Sequence, residues 1–165
     1  MSSIEVVPLS DELVPVFRSV RLRALQTDPL AFGSTYATES VLTDSDWVAK
    51  ARRWQNDRSC CFLALRGASP VGFAASFIDD GHAHLVSVWV APDARRQQVG
   101  VRLIEAATAW ARSLDLYRQV LAVTSVNEGA QRFYESLGFT ATGRILPYPN
   151  DATLHEIEMA RPLKP

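Results

Sequence analysis

The residues with the clearest chemical potential lie between Val88 and Gly100, in the run Val-Trp-Val-Ala-Pro-Asp-Ala-Arg-Arg-Gln-Gln-Val-Gly. A strand-like stretch stops at Pro92, a polar turn follows, and an amphipathic pattern begins at Val99. The first N–H groups of a helix lack intrahelical partners, and the helix dipole adds about half a positive charge there, so such a junction favours a phosphate. Three arginines add full charges: Arg95, Arg96 and Arg102. The turn predicts an anion site, although a solvated basic cap is the plain alternative.

A second stretch, Asn127 to Phe139, reads Asn-Glu-Gly-Ala-Gln-Arg-Phe-Tyr-Glu-Ser-Leu-Gly-Phe. Asn127 suits the N-cap of a short helix, and Gly138 suits its left-handed C-cap. Tyr134 offers a phenolic proton donor. Taken alone, however, this tyrosine is equally a half-buried structural residue beside the apolar stripe of the helix.

Together the two stretches resemble the signatures of the GNAT family of N-acetyltransferases. The first is similar to the coenzyme A pyrophosphate loop, Arg/Gln-x-x-Gly-x-Gly/Ala after a strand ending in Val-x-Pro, with Arg95 and Gly100 at matching positions. Gln98 stands where the family has its first glycine, which lets the backbone come close to the diphosphate. The second stretch matches Asn-x-x-Ala-x-x-Phe/Leu-Tyr-x-x-x-Gly-Phe at every anchor position, in the family's order along the chain.

The resemblance implies how acetyl-CoA binds. In the family, the strands matching Val88 to Val90 and Val120 to Val123 part, and the pantetheine arm enters the gap as a further strand would. The segment matching Gln97 to Val101 binds the pyrophosphate through N–H groups, and Asn127 bonds the pantetheine. Tyr134 is the implied general acid for the leaving thiolate. The implied cofactor-binding residues are Val88, Trp89, Val90, Arg95, Arg96, Gln97, Gln98, Val99, Gly100, Val101, Asn127, Ala130 and Phe133.

The general base is less well marked. Family members often use a carboxylate on the strand that enters the phosphate loop, but here that strand offers His84 and no acid. Period-two alternation would put four residues on one face: His84, Val86, Val88 and Val90. An imidazole titrates near neutrality, so His84 is the predicted base, with an ordinary surface histidine as the open alternative.

The acceptor site is expected between two loops, 29–42 and 147–151. Three acids lie in or beside these loops: Glu39, Asp44 and Asp151. They favour a cationic or polar amine over an anionic one. Asp28 is expected to do no more than end a helix with Pro29.

Hydrophobic periodicity places the elements that must position these residues. We predict a mixed sheet of about seven strands with four helices, in the order β-α-α-β-β-β-α-β-α-β-β, an α/β (α+β) GNAT fold forming one domain over residues 1–165. Segment 30–42 is predicted to be irregular. Three arginines of the first helix are predicted to be solvated: Arg18, Arg21 and Arg23. The predicted strands are 4–9, 59–65, 71–78, 82–90, 119–124, 139–145 and 153–160, and the predicted helices are 10–26, 43–54, 99–114 and 128–137.

Bulk properties exclude several classes of protein. The 165 residues carry 17 basic and 18 acidic side chains, a net charge of −1 that argues against a nucleic-acid binder. We find no secretory signal pattern and no apolar run of the ~18 residues that cross a bilayer, so a cytoplasmic protein without membrane contact is expected. The adjacent Cys60 and Cys61 are expected to be buried thiols, with neither a disulfide nor a metal site.

The sequence therefore predicts an acetyl-CoA-dependent N-acetyltransferase that acts directly on a primary amine of a small molecule or peptide, without a metal, as a monomer or homodimer. The alternative is a coenzyme-A-binding sensor or interaction module without turnover. Gln98 and the missing strand carboxylate favour that alternative, and the intact Tyr134 speaks against it.

Overall fold

The computed structural model describes residues 3–163, in which one twisted sheet carries helices on both faces. The strands are β1 (Ile4–Pro8), β2 (Gln55–Asn56), β3 (Ser59–Arg66), β4 (Ser69–Asp79), β5 (His82–Val90), β6 (Arg118–Thr124), β7 (Thr140–Pro147) and β8 (His155–Pro162). The helices are α1 (Val14–Thr27), α2 (Tyr36–Glu39), α3 (Asp44–Arg52), α4 (Val99–Ser113) and α5 (Glu128–Ser136). Short 3-10 turns cover Asp11–Leu13, Pro29–Ala31 and Pro92–Ala94.

The sheet order confirms the predicted mixed topology. The strands run β1-β3-β4-β5-β6-β8-β7, with β2 beside β3, and every pair is antiparallel except β5–β6. Two short elements, α2 and β2, add to the predicted seven strands and four helices. Helix α2 forms inside the segment predicted to be irregular because the Thr35 hydroxyl accepts the Thr38 N–H and caps a single turn.

Local chemistry sets several boundaries. Thr43 and Asp46 form a capping box, with bonds of 3.2 and 2.9 Å, and α3 starts there, at the predicted position. Gly138 ends α5 in the left-handed conformation, with φ 94°. Strand β8 starts later than predicted because Asp151 accepts bonds from the N–H and hydroxyl of Thr153, which holds a turn there.

A bulge in β5 changes the face that its last residues occupy. Ala75 pairs with Val86 and Phe73 with Trp89, so two residues of β5 oppose one residue of β4. Ser87 holds the left-handed conformation there, with φ 55°. The prediction of one face from His84 to Val90 is wrong at Val90, because the extra residue turns it toward α4.

Two hydrophobic clusters hold the layers together. The first joins α1 and α3 to β4 and β5 through Phe17, Val20, Leu25, Trp47, Phe73 and Trp89. The second joins α4 to β6 and β8 through Ile104, Ala107, Leu121, Val123, Phe139 and Met159. Cys60 and Cys61 are buried free thiols as predicted, and burial raises the pKa of Cys60 to about 12. None of the described helices is long and apolar enough to span a bilayer.

The contact between β4 and β5 predicts a cost for any side chain at Gly72. A Cβ at this position would lie 2.7 Å from the Trp89 carbonyl oxygen and 3.2 Å from Leu103. We expect Gly72→Ala to lower the free energy of unfolding, measured in urea, by about 1–3 kcal/mol. Gly129→Ala in α5 is the control, since its Cβ would meet only Asn127 Oδ1 at 3.9 Å and would raise helix propensity. Equal stability of the two variants would contradict the close packing.

Candidate functional site

The site is the opening that forms where β5 and β6 part. In the part of the chain described, these parallel strands are bridged at two pairs, Ala83 with Gln119 and His84 with Val120. Beyond His84 they diverge, and a cavity of about 1000 Å³ lies against the exposed strand edge Val88–Val90. The loop 27–31 after α1, the start of α4, and α5 form its other walls. All the predicted cofactor-binding residues line it except Gln97.

The start of α4 presents backbone N–H groups to this cavity. Arg102 N–H makes the first helical bond, 3.0 Å to the Gln98 carbonyl, so the N–H groups of residues 99–101 have no intrahelical partner. Arg96 and Gln98 both hold left-handed backbone, with φ 61° and 64°. Alternating left-handed residues turn successive N–H groups toward one concave side, which is the geometry of an anion site. The N-terminus of α4 is therefore shaped for a phosphate.

The backbone conformation at Gln98 shows why a glycine suits this position in the family. Its φ of 64° is a conformation that glycine adopts freely and other residues adopt at a cost. The Gln98 side chain makes no capping bond to α4. Gly100, which the motif retains, packs closely, because a Cβ there would lie 3.2 Å from Phe133 Cζ and the ring would have to shift.

The basic residues of the loop do different work. Arg95 donates to the Val90 carbonyl at 2.9 Å and to Asp28 Oδ2 at 2.8 Å, and Trp89 Nε1 donates to that same oxygen at 2.7 Å. Asp28 thus ties α1 to the end of β5, which corrects its reading as a simple helix stop. Arg96 lines the cavity and forms no ion pair with another described residue. Arg102, expected to add charge here, instead donates to the Ile4 carbonyl at 2.6 Å.

Helix α5 brings a proton donor to the cavity wall. Asn127 Oδ1 accepts the Ala130 N–H at 3.1 Å, so this residue caps the helix while it also lines the cavity. The Tyr134 ring packs between Phe133 and Phe139, at centroid distances of 5.4 and 5.7 Å. Its hydroxyl bonds to no other residue in the range 3–163. Burial raises the pKa of Tyr134, so the phenol keeps its proton at neutral pH.

Two predicted site residues lie away from the cavity. His84 occupies the last bridged pair with β6, and its ring stacks on Phe77 at a centroid distance of 5.2 Å. Four residues of strand, about 13 Å, separate it from Val88. Gln97 turns its side chain outward, accepting from Arg66 at 3.4 Å and donating to the Asp93 carbonyl at 3.2 Å. The structure therefore does not bring His84 to the reacting end of the cavity.

The three acids expected near the acceptor already have partners. Glu39 is 2% exposed and binds Arg21 and Lys50. Burial alone would raise the pKa of Glu39, but these two cations lower it. Asp44 pairs with Arg18 at 3.0 Å, and bonds from Thr153 lower the pKa of Asp151. Glu39 and Asp44 are thus paired with cations, and the Asp151 carboxylate is hydrogen-bonded to Thr153.

Arg21 is a buried charged residue whose position the sequence analysis did not foresee. It was predicted to be solvated but is 8% exposed, with two bonds of 2.9 Å to Glu39 and one of 3.1 Å to the Ser87 hydroxyl. Its spacing of four residues from both Phe17 and Leu25 puts it on the buried stripe of α1, and this signal was readable. Its partner Glu39 was not readable, because a tertiary fold brings the two together.

Glu156 is a second missed residue. It lies opposite Thr124 on β8, and the Thr124 hydroxyl donates to the Leu30 carbonyl in the cavity wall. Its neighbour Ile157 packs in the α4 cluster, so by alternation Glu156 faces the side of loop 27–31. The carboxylate forms no hydrogen bond or ion pair with another residue that the structure describes, and burial raises the pKa of Glu156.

Comparisons with known proteins agree with the resemblance seen in the sequence. The sequence model of the acetyltransferase (GNAT) family matches residues 22–139. Similar solved structures include a GNAT-family acetyltransferase from Streptococcus pneumoniae, with 17% identity, TM-score 0.81 and coverage of 98% of this chain and 100% of that one. The Salmonella typhimurium protein yncA, solved with its cofactor acetyl-CoA, shares 18% identity at TM-score 0.79, covering 99% and 96%.

A third similar structure is the ribosomal-protein-S18-alanine N-acetyltransferase of Escherichia coli, at 21% identity and TM-score 0.70, covering 99% of this chain and 96% of that one. A search of curated proteins by sequence found no match. At these identities the solved structures establish the fold, and the family match carries the biochemical class.

The left-handed backbone predicts the effect of restoring the motif glycine. We expect Gln98→Gly to raise the free energy of unfolding by up to about 1 kcal/mol, because the strain of a side chain at positive φ is removed. It should also tighten acetyl-CoA binding, measured by titration calorimetry, because the cavity wall then carries no side chain at this point. Gln97→Gly is the control and should only lose stability, since no left-handed strain is present to relieve at position 97. Weaker binding by Gln98→Gly would show that the Gln98 amide bonds the ligand.

Proposed function

Because the chain belongs to the acetyltransferase (GNAT) family, we propose that it moves the acetyl group of acetyl-CoA directly to a primary amine of a small molecule or peptide. The observation that carries this proposal is the cavity between β5 and β6, which joins a phosphate-binding helix terminus to the Tyr134 phenol. A long ligand with a diphosphate at the start of α4 and an extended amide arm reaching toward Tyr134 fits this cavity.

The chain's own groups fit each part of the coenzyme. The N–H groups of residues 99–101 and the unpaired Arg96 suit the diphosphate. The edge Val88–Val90 has no β6 partner, and its backbone groups on that side, apart from the Val90 carbonyl that accepts from Arg95, are available to the amides of the arm. The Asn127 amide faces the same cavity. Acetyl-CoA supplies the activated thioester, and the protein supplies binding, direction and proton transfer.

We assign the proton transfers to Tyr134 and Glu156. As the amine nitrogen bonds to the acetyl carbon, the carbon–sulfur bond breaks, Tyr134 gives its proton to the sulfur, and Glu156 takes the proton of the amine, directly or through water. The products are an amide and a free thiol, and the proton held by Glu156 returns to the phenolate through solvent. Neither His84 nor Glu156 is among the residues that line the cavity, but Glu156 lies beside Thr124, whose hydroxyl donates to the Leu30 carbonyl in the cavity wall, and we therefore propose Glu156 in place of His84. No covalent enzyme intermediate is needed, in keeping with the buried, protonated cysteines.

The acceptor class follows from the charges that remain unpaired. Glu39, Asp44 and Asp151 are satisfied within the protein, whereas Glu156 has no partner among the described residues. A partly buried carboxylate without a partner loses some of its hydration, and an ammonium group brings it a counter-charge. The proposed acceptor therefore binds as a primary ammonium, releases one proton to solvent to become the attacking amine, and gives a second proton to Glu156 as the amide forms. A second cationic group on the acceptor would strengthen its binding.

The role of Tyr134 predicts a selective loss of turnover. Tyr134→Phe should lower kcat by about 10²–10⁴, the range for general acid catalysis, while acetyl-CoA affinity changes little because the ring still packs. Release of free thiol is followed over a panel of mono- and diamines. Tyr117→Phe removes a phenol from the surface and should behave as wild type. If the wild-type protein binds acetyl-CoA but releases no free thiol in the presence of any of the amines, the protein is a coenzyme-binding module without turnover.

The role of Glu156 predicts opposite effects on activity and stability. Glu156→Gln should lower kcat/KM for cationic amines by about 10²–10⁴ and remove the acidic limb of the pH profile, because the required carboxylate protonates as the pH falls through its raised pKa. His84→Ala should keep that limb. Glu156→Gln should also raise the melting temperature at pH 7, since burial penalises the charged carboxylate there. The gain should vanish below the ordinary carboxyl pKa, where Glu156 is protonated in both the folded and the unfolded protein.

Glu158→Gln is the matched control, because Glu158 lies two residues along the same face and already pairs with Arg144. It should retain the activity and pH profile of the wild type. Loss of activity in Glu158→Gln with normal turnover by Glu156→Gln would assign the proton transfer to Glu158 instead.

A further inference from the structure

Ser87 occupies an unusual position between the paired and unpaired parts of β5. Its φ of 55° is a left-handed conformation, which costs energy in any residue but glycine. It belongs to the bulge and directly precedes Val88, where the cavity edge begins. The last bridge to β6 lies at His84, so β6 does not hold this residue in place. Strained residues persist only when their surroundings hold them.

Arg21 provides that hold. Its Nη1 donates to Ser87 Oγ at 3.1 Å, while Nε and Nη2 donate to the two Glu39 oxygens at 2.9 Å each. The guanidinium also lies over the Phe32 ring, 4.9 Å from its centroid. Lys50 binds Glu39 from the outer side at 3.2 Å. The planar guanidinium is held by its two bonds to Glu39 and by the Phe32 ring, and its Nη1 then points toward Ser87.

Stability alone does not account for such a pair. Burying two charges costs about as much as their attraction returns, and apolar residues of similar volume often serve the fold as well. An ion pair can supply a directed hydrogen bond, which apolar packing cannot. Here that bond ends on the residue that turns the strand edge Val88–Val90 toward the cavity.

We propose that Arg21, oriented by Glu39, is a positioning residue: through Ser87 it holds the β5 bulge and so sets the strand edge that receives the coenzyme arm. The inference rests on the proposed function, because the arm is that of acetyl-CoA. Arg21 touches no reacting atom and acts only through Ser87 and the backbone that follows it.

The first test removes the hydroxyl and leaves the ion pair intact. Ser87→Ala should weaken acetyl-CoA binding about 10- to 100-fold, the scale for a lost bond to a charged group, and should lower kcat by a similar factor. Adenosine 3′,5′-bisphosphate, which lacks the arm, should bind as to the wild type. Ser76→Ala is the control, because Ser76 is a buried serine on the adjacent β4 whose Oγ has no partner among the described residues.

A second variant separates the hydrogen bond from the backbone conformation. Ser87→Gly adopts positive φ freely but has no hydroxyl. If Arg21 holds the bulge through the bond, this variant loses acetyl-CoA affinity as Ser87→Ala does. Wild-type affinity in Ser87→Gly would show that the left-handed backbone alone sets the edge, and it would overturn the role of Arg21.

A third variant removes the Arg21 guanidinium and its Glu39 partner together, so that the fold is kept. Arg21→Met combined with Glu39→Met leaves no unpaired charge in the core, and the Lys50 side chain, 25% exposed, can reach water. The double variant should melt cooperatively like the wild type yet bind acetyl-CoA as weakly as Ser87→Ala. Adding Ser87→Ala to it should change nothing more, whereas additive losses would overturn the coupling.

The binding comparison also separates this inference from the proposed function. Selective loss of acetyl-CoA affinity in Ser87→Ala, with no thiol release by the wild type on any amine, supports the positioning role and refutes the transfer reaction. Unchanged affinity in Ser87→Ala refutes the positioning role whatever the turnover. A wild-type protein that does not bind acetyl-CoA refutes both.

Discussion

The parting of β5 from β6 is the constraint on which the site depends. Parallel strands normally satisfy their backbone groups along their whole length, and here the pairing stops at His84 and Val120. The edge Val88–Val90 then faces a cavity with N–H and C=O groups that need partners. An extended ligand with amide groups meets this need better than water does, because it also fills an apolar cleft. The bulge at Ser87 and the bond from Arg21 lie where this edge begins.

The two faces of the sheet divide the chemistry between them. On the α4 face, the helix terminus and its left-handed loop concentrate positive potential from backbone dipoles and Arg96. On the other face, the buried Glu39 is neutralised by Arg21 and Lys50, Glu158 pairs with Arg144, and Glu156 has no cationic partner among the described residues. Under the proposed function, this arrangement would attract an anionic coenzyme from one side and a cationic amine from the other. The electrostatic arrangement suits two substrates of opposite charge that must meet.

Loop 27–31 connects these two sides. Asp28 accepts bonds from Trp89 and Arg95, and the Leu30 carbonyl accepts the Thr124 hydroxyl across the gap. The Tyr148 hydroxyl donates to the Pro29 carbonyl at 3.2 Å, which ties the β7–β8 turn to the same loop. The walls of the acceptor side are therefore held by hydrogen bonds from three separate parts of the chain.

The sequence by itself determined the family, the order of elements and most of the residues that line the cavity. Those features depend on local signals. Gly100 lies where a side chain would crowd Phe133, Gly138 has a positive φ, and Asn127 caps a helix, while the hydrophobic periodicity places each element. Only the tertiary structure decided which charges are free. Arg21 and Glu39 are 18 residues apart and meet through the packing of α1 against α2, while Glu156 becomes partly buried and unpaired only once β8 lies beside β6. The bulge at Ser87 was equally invisible, because an extra residue in a strand is defined by its partner strand and leaves no mark in its own sequence, and this is why Val90 was expected on the wrong face of β5.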